Sequence, residues 1–156
     1  AEPGFETRGF VERPEEPGIL WVGTELGLAR VDSESGVIEH YNPYPDSPEL
    51  STVISPSQDP LHPSILWVPT YGGGLSRFDI RSRLFTNHKS DPSTPNGRSD
   101  NFLFDATPDR SGMVWVGTEL FGLDRFNPAS VGFVHYRSDP CDPSSLPGTN
   151  GGGILS

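Results

Sequence analysis

Apolar residues along this chain come in short runs separated by Gly, Pro, Asp and Ser, and no longer stretch carries the three-to-four spacing of a helical face. Brief runs rich in Val, Ile, Leu, Phe and Trp with such boundaries are strand signals. The runs also recur. Ile19-Leu20-Trp21-Val22-Gly23-Thr24 returns as Ile65-Leu66-Trp67-Val68-Pro69-Thr70 and as Met113-Val114-Trp115-Val116-Gly117-Thr118, with Trp-to-Trp spacings of 46 and 48 residues. Gly27-Leu28-Ala29-Arg30-Val31-Asp32 is answered by Gly74 to Asp79 and Gly122 to Asn127, and Val37 to Tyr41 by Leu84 to His88 and Phe133 to Tyr136. A Pro-rich connection then leads to a short apolar piece before the next Trp, Val53-Ile54 or Phe102-Leu103-Phe104, as Phe10-Val11-Glu12 does in the first unit.

Each unit therefore predicts four strands. The Trp runs are apolar at nearly every position, as expected where both faces of a sheet are covered. The Thr-x-x-Gly-Leu segments predict tight hairpins whose Gly adopts positive φ. Repeats of this length built from four antiparallel strands are the pattern of propeller blades. The chain thus reads as all-β, a partial β-propeller of about three four-stranded antiparallel blades plus a stub, with units near 6–50, 51–98 and 99–146 and a further repeat beginning at 147–156, where Ile154-Leu155-Ser156 stands in for a first strand. A β-solenoid is the weaker alternative. Closed propellers use about four to eight blades, so the expectation is an excerpt of a larger ring or a ring closed by association. The partners would then be further propeller repeats in the same or another chain. Pro69 replaces the Gly of the other two units and lacks a ladder donor, which predicts a local distortion.

Composition narrows the function classes. Eighteen Gly and seventeen Pro among 156 residues punctuate the chain, while three Trp, four Tyr and nine Phe supply a core. The net charge of −10 argues against nucleic acid, anionic membranes and polyanionic ligands. No apolar stretch is long enough for a membrane helix, and Ala1-Glu2-Pro3-Gly4 does not open a signal peptide. Cys141 is the only cysteine, so no internal disulfide is possible and redox compartment is undetermined.

The segments Leu66 to Asp79 and Val114 to Leu146, with their Trp-Val-x-Thr strand, Gly-Leu-x-Arg-Phe step and Asp-Pro-rich tail, resemble the two-component regulator propeller repeat. That resemblance implies a bacterial, periplasmic or extracellular sensor propeller of hybrid histidine kinases and related signalling proteins, with oligosaccharide-derived ligands in its carbohydrate-responsive members. Copy two departs from the pattern in its tail, Ser90 to Ser99, and copy three reads Leu146-Pro147-Gly148.

Candidate chemistry is sparse. Trp21, Trp67 and Trp115 could stack sugars, yet a residue required in every unit reads as packing. His40 and His135, with Asn87 between them in the repeat, read as blade-edge residues, and Arg30, Arg77 and Arg125 with Asp32, Asp79 and Asn127 as a turn or ion-pair device. Asp59-Pro60, Asp91-Pro92, Asp139-Pro140 and Asp142-Pro143 read as Asx turns rather than calcium ligands, since no Asp-x-Asp-x-Asp-Gly loop is present. Neither a metal nor a cofactor is expected. No hydrolase elbow, zinc helix or nucleotide fingerprint occurs, so no catalytic residue is assigned. What varies between units is the turn after each Trp strand, at Glu25, Tyr71 and Glu119; variable loops on a constant scaffold are where binding residues gather. These three are the candidate ligand contacts. The reading is a non-catalytic ligand-sensing or scaffold segment, with a propeller-fold enzyme of the streptogramin-lyase type or a protein-binding propeller as alternatives.

Overall fold

The computed structural model describes residues 7–89, 101–120, 122–130, 132–136 and 141–146. The repeats in the sequence become three antiparallel four-stranded sheets, each a sequential meander. Blade 1 holds β1 (Thr7–Glu12), β2 (Ile19–Thr24), β3 (Gly27–Asp32) and β4 (Ile38–Tyr41); blade 2 holds β5 (Ser57–Gln58), β6 (Ile65–Thr70), β7 (Gly74–Asp79) and β8 (Leu84–His88). Blade 3 holds β9 (Leu103–Pro108), β10 (Val114–Thr118), β11 (Leu123–Asn127) and β12 (Gly132–Tyr136). Among the described residues the one helical element is a 3-10 turn at Pro48–Leu50. Ser90 to Ser99, Asp139-Pro140 and Ile154-Leu155-Ser156 lie outside the described residues.

The Thr and Gly of each hairpin explain why the β2–β3, β6–β7 and β10–β11 turns form. Thr24, Thr70 and Thr118 donate their hydroxyls to the carbonyls of Gly27, Gly74 and Gly122 at 3.0, 2.8 and 2.8 Å. Those three glycines sit at φ 121°, 78° and 87°. At Gly74 a Cβ would come within 2.5 Å of the His88 carbonyl, so strain and crowding together select glycine there.

The blades bury their faces against one another. Trp21 and Leu28 of blade 1 pack with Val53 against Leu66, Val68 and Phe78 of blade 2, and Trp67 and Leu75 of blade 2 pack against Val114, Val116 and Phe126 of blade 3. In both junctions a β7-type Phe enters beside the preceding Trp, at ring separations of 5.5 Å for Trp21–Phe78 and 5.8 Å for Trp67–Phe126. Both phenylalanines are fully buried, which contributes roughly 1.5–3 kcal/mol for each side chain. Every residue of β6, the centre of the middle blade, is buried, whereas β2 and β10 are buried only in part.

Two expectations need correction. The first strand of blade 2 is not a continuous Val53-Ile54 run: Val53 makes an isolated bridge to Thr70, and the paired strand resumes at Ser57–Gln58 after Pro56, which cannot donate to a ladder. The distortion anticipated from Pro69 is present, but β6 itself pairs without interruption with β7, Pro69 opposite Leu75. The irregularity lies on the inner-strand side, where Pro69 only accepts, from the Ile54 amide at 3.0 Å. It is also not caused by the proline. Blade 1 slips by one residue between Thr7 and Gly9, blade 3 slips between Gly117 and Thr118, and blade 2 carries the same extra residue between Val53 and Ser57. A bulge common to all three blades is what lets one of them accept a proline.

Candidate ligand-binding site

The three variable turns lie in one row along an end of the arc, joined by the segments that link the blades. Thr52 stands between the first two turns: its carbonyl accepts the Tyr71 amide at 2.9 Å, and its hydroxyl donates to the Glu25 carbonyl at 3.4 Å. Next to it, the Val53 amide donates to the Thr24 carbonyl at 2.9 Å. Asn101 and Phe102 stand between the second and third turns. The Asn101 carbonyl accepts from Gly72 and Gly74, and the Phe102 carbonyl accepts the Glu119 amide at 2.9 Å. The same linker position therefore braces each pair of neighbouring turns.

Tyr71 and Glu119 meet across the junction of blades 2 and 3. The Tyr71 hydroxyl donates to Glu119 Oε1 at 2.7 Å, and its ring packs edge-on against Phe102 at 4.9 Å and, tilted, against Phe104 at 5.8 Å. Glu25 is joined to this row through Thr52 rather than by its carboxylate, which lies 3.8 Å from Arg8 with both groups open to solvent. An exposed pair of that length adds little stability. Phe102, Phe104 and Leu120 remain exposed around the Tyr71–Glu119 pair. The rim thus presents aromatic edges beside a carboxylate whose one oxygen is already held by a phenol.

Tyr44 supports the row from behind. Its hydroxyl donates to the Gly73 carbonyl at 2.6 Å, Lys89 lies over its ring at 4.9 Å, and burial pushes its hydroxyl above the usual tyrosine range. A Cβ at Gly73 would run into the Tyr44 ring. This glycine run is therefore needed for close approach as well as for turning.

Phe102, Phe104 and Tyr44 were absent from the candidates read in the sequence. The signal for the first two was present: in Phe102-Leu103-Phe104 strand alternation puts the buried Leu103 on one face and both phenylalanines on the other. Tyr44 sits in an irregular linker that no periodicity describes.

Other candidates acquire definite places. Trp21 and Trp67 are core residues and Trp115 is half-buried. His40 is exposed at the edge, but His135 is corrected: although it lies on the outer strand, it points inward and its Nδ1 lies 2.6 Å from Oδ1 of the fully buried Asp124. The corresponding cross-strand pairs are Ser76 with Asn87 in blade 2 and Ala29 with His40 in blade 1. The Arg and Asp positions are not mutual ion pairs. Asp32, Asp79 and Asn127 accept backbone amides in turns, Arg30 faces Glu39 at 3.6 Å, and Arg125 lies over its own Trp115 at 5.9 Å. Asp59 and Asp142 do accept the amides of Asx turns. Among the described residues no cluster of His, Cys, Asp and Glu could hold a metal, and no helix is long and apolar enough to cross a membrane. Cys141 is exposed.

No family model and no curated protein matches the chain. Solved structures do. The extracellular domain of one hybrid two component system of B. thetaiotaomicron superposes with a TM-score of 0.71 at 21% identity over 89% of this chain and 19% of that one. A second such extracellular domain from the same organism gives 0.65 at 20% identity, over 86% and 17%. This chain thus spans about a fifth of the length of those domains. The computationally designed Ika4 protein also matches, with a TM-score of 0.58 at 11% identity over 96% of this chain and 78% of that one. At these identities the likeness speaks for the fold. The partial propeller read from the repeats is in agreement with it.

Proposed function

We propose that this chain is a non-catalytic, ligand-sensing segment of an extracytoplasmic signalling propeller, and that its ligand is a neutral oligosaccharide read at the rim of Glu25, Tyr71 and Glu119. The observation that carries the reading is the Tyr71–Glu119 bond, 2.7 Å long and spanning two blades, set among exposed aromatic rings. A sugar ring offers apolar C–H faces to such rings and hydroxyls to the carboxylate. The net charge of −10 disfavours sulfated or otherwise anionic glycans. The similarity to extracellular domains of hybrid two component systems supports a sensing role and a place outside the cytoplasm. Because the bond joins adjacent blades, occupancy of the rim would be felt at the blade junction, which is what a sensor requires.

Calorimetric titration with a panel of neutral and sulfated oligosaccharides tests this. A neutral member should bind the wild-type chain, and Glu25→Ala, Tyr71→Ala and Glu119→Ala combined should abolish that binding while far-UV circular dichroism is unchanged. Unaltered affinity in the triple variant removes the rim from the site, and a preference for sulfated members overturns the ligand class.

A further inference from the structure

The two junctions between blades are built alike except in the groups that can change charge. At the first, Tyr41 of β4 stands opposite Leu28 and its ring packs on Phe78 of blade 2 at 5.2 Å. At the second, the same position, opposite Leu75, is held by His88 of β8. Its ring packs on Phe126 of blade 3 at 4.7 Å and lies 6.4 Å from Trp67 of its own blade. A phenol stays neutral at physiological pH, whereas an imidazole changes charge close to it.

The facing blade repeats the contrast. Asp124 of β11 and His135 of β12 continue the cross-strand row of Val116, on the face whose Val114, Val116 and Phe126 pack against Trp67 and Leu75. His135 Nδ1 lies 2.6 Å from Oδ1 of the fully buried Asp124. At the first junction those two places are taken by Ser76 and Asn87, joined at 2.7 Å. His88 itself is placed to resist a charge: burial, and then the Arg77 guanidinium of β7, hold its imidazole below the ordinary histidine value of 6.5. Around it, β6 and β11 offer the rings of Trp67 and Phe126, while Arg77 and the adjoining Lys89 are cations. The carboxylates on these faces are engaged elsewhere. Asp79, two rungs further along β7, accepts the Arg81 amide, and Asp124 on the facing blade holds His135.

We propose that the junction of blades 2 and 3 is a pH-sensitive seam: acid charges His88 beside Arg77 and against the buried face of blade 3, and the two blades loosen there while blades 1 and 2 stay closed. A group that binds its proton less readily when packed than when free gains that proton by opening. The seam is therefore tight above the ordinary histidine value and weakens as pH falls below it, in a range above that in which ordinary carboxylates titrate. The Tyr71–Glu119 bond crosses the same junction, so an open seam also parts that pair, whatever the rim binds.

Hydrogen exchange read by mass spectrometry on the 156-residue chain, at about pH 7.5 and about pH 5.5 and corrected for the intrinsic rates, tests the proposal. Peptides of β8 and β11, which flank the seam, should lose protection at the lower pH, and those of β3 and β4 should not. His88→Tyr, which installs the residue that blade 1 has at this position, should abolish the loss, and His135→Asn, which installs that of blade 2, should leave it in place. A loss that survives His88→Tyr, that falls equally on both junctions, or that His135→Asn removes overturns the proposal, as does no loss at all. Should the tyrosine variant fail to fold, proton NMR of the wild-type His88 ring decides: a titration midpoint below 6.5 upholds the seam, and one at or above 6.5 overturns it.

Discussion

In blades 2 and 3 the central tryptophan gives its indole N–H to an aspartate at the start of the preceding hairpin, Trp67 to Asp59 at 2.9 Å and Trp115 to Asp109 at 2.8 Å. In blade 1 the ladder register places Arg13 at that position, opposite Ile19, and Trp21 Nε1 is buried with no partner among the described residues. Arg13 points elsewhere. Its Nε donates to the Pro63 carbonyl of blade 2 at 3.1 Å and its Nη1 to Glu16 at 2.7 Å. The three tryptophans pack alike although their polar atoms are treated differently. What the repeat conserves within this chain is the ring in its slot, while the residue beside it is spent either on holding the ring or on tying one blade to the next. Leaving a buried N–H unpaired costs about 1–3 kcal/mol, and blade 1 tolerates this alongside the inter-blade bond of Arg13.

The strongest way to break this contrast is to make blade 2 resemble blade 1. Asp59→Ala leaves the buried Trp67 indole without an acceptor and frees the amides of Leu61 and His62. It should destabilise the chain by about 1–3 kcal/mol, measured by urea denaturation. A loss near zero would mean that the bond is incidental.

A paired substitution sharpens the point. Trp67→Phe strands Asp59 Oδ2, whereas Trp21→Phe deletes a donor that has no partner. Both lose similar volume, so Trp67→Phe should cost about 1 kcal/mol more than Trp21→Phe. Equal costs would show that ring packing alone decides.

The smallest effect is in the pH dependence of blade 3. The Ser111 hydroxyl foremost, then the Trp115 indole, hold the Asp109 carboxyl down at about 2, from an ordinary 3.8. A carboxylate lowered in the folded state contributes stability that is present above its unfolded value and lost as pH falls through its folded one. The melting temperature should therefore decline between about pH 4 and pH 2, and Asp109→Asn should flatten part of that decline. An unchanged profile in the variant would place the acid sensitivity in other groups.

The repeat was legible because four strands, a Trp slot and a turn running from Thr to a positive-φ Gly impose the same local demands in each blade, so copies confirm one another. The rim was legible in part: Glu25, Tyr71 and Glu119 stood out as differences between copies, but nothing in a linear string pairs the hydroxyl of Tyr71 with a carboxylate 48 positions away. Asp59 read as a turn residue because its Asx geometry is local, while its second oxygen serves a tryptophan across the hairpin. His135 read as an edge residue because its strand is an edge, while the buried Asp124 on the neighbouring strand draws it inward.

By itself, then, the sequence determined the strands, their hairpins and their grouping into blades, since backbone propensity, glycine conformation and alternating burial act over a few residues and are written in each copy. The tertiary structure alone decided which polar atoms meet and where the inner strand bulges to admit Pro69. These depend on how one sheet lies against the next, and that is settled by packing between residues far apart in the chain.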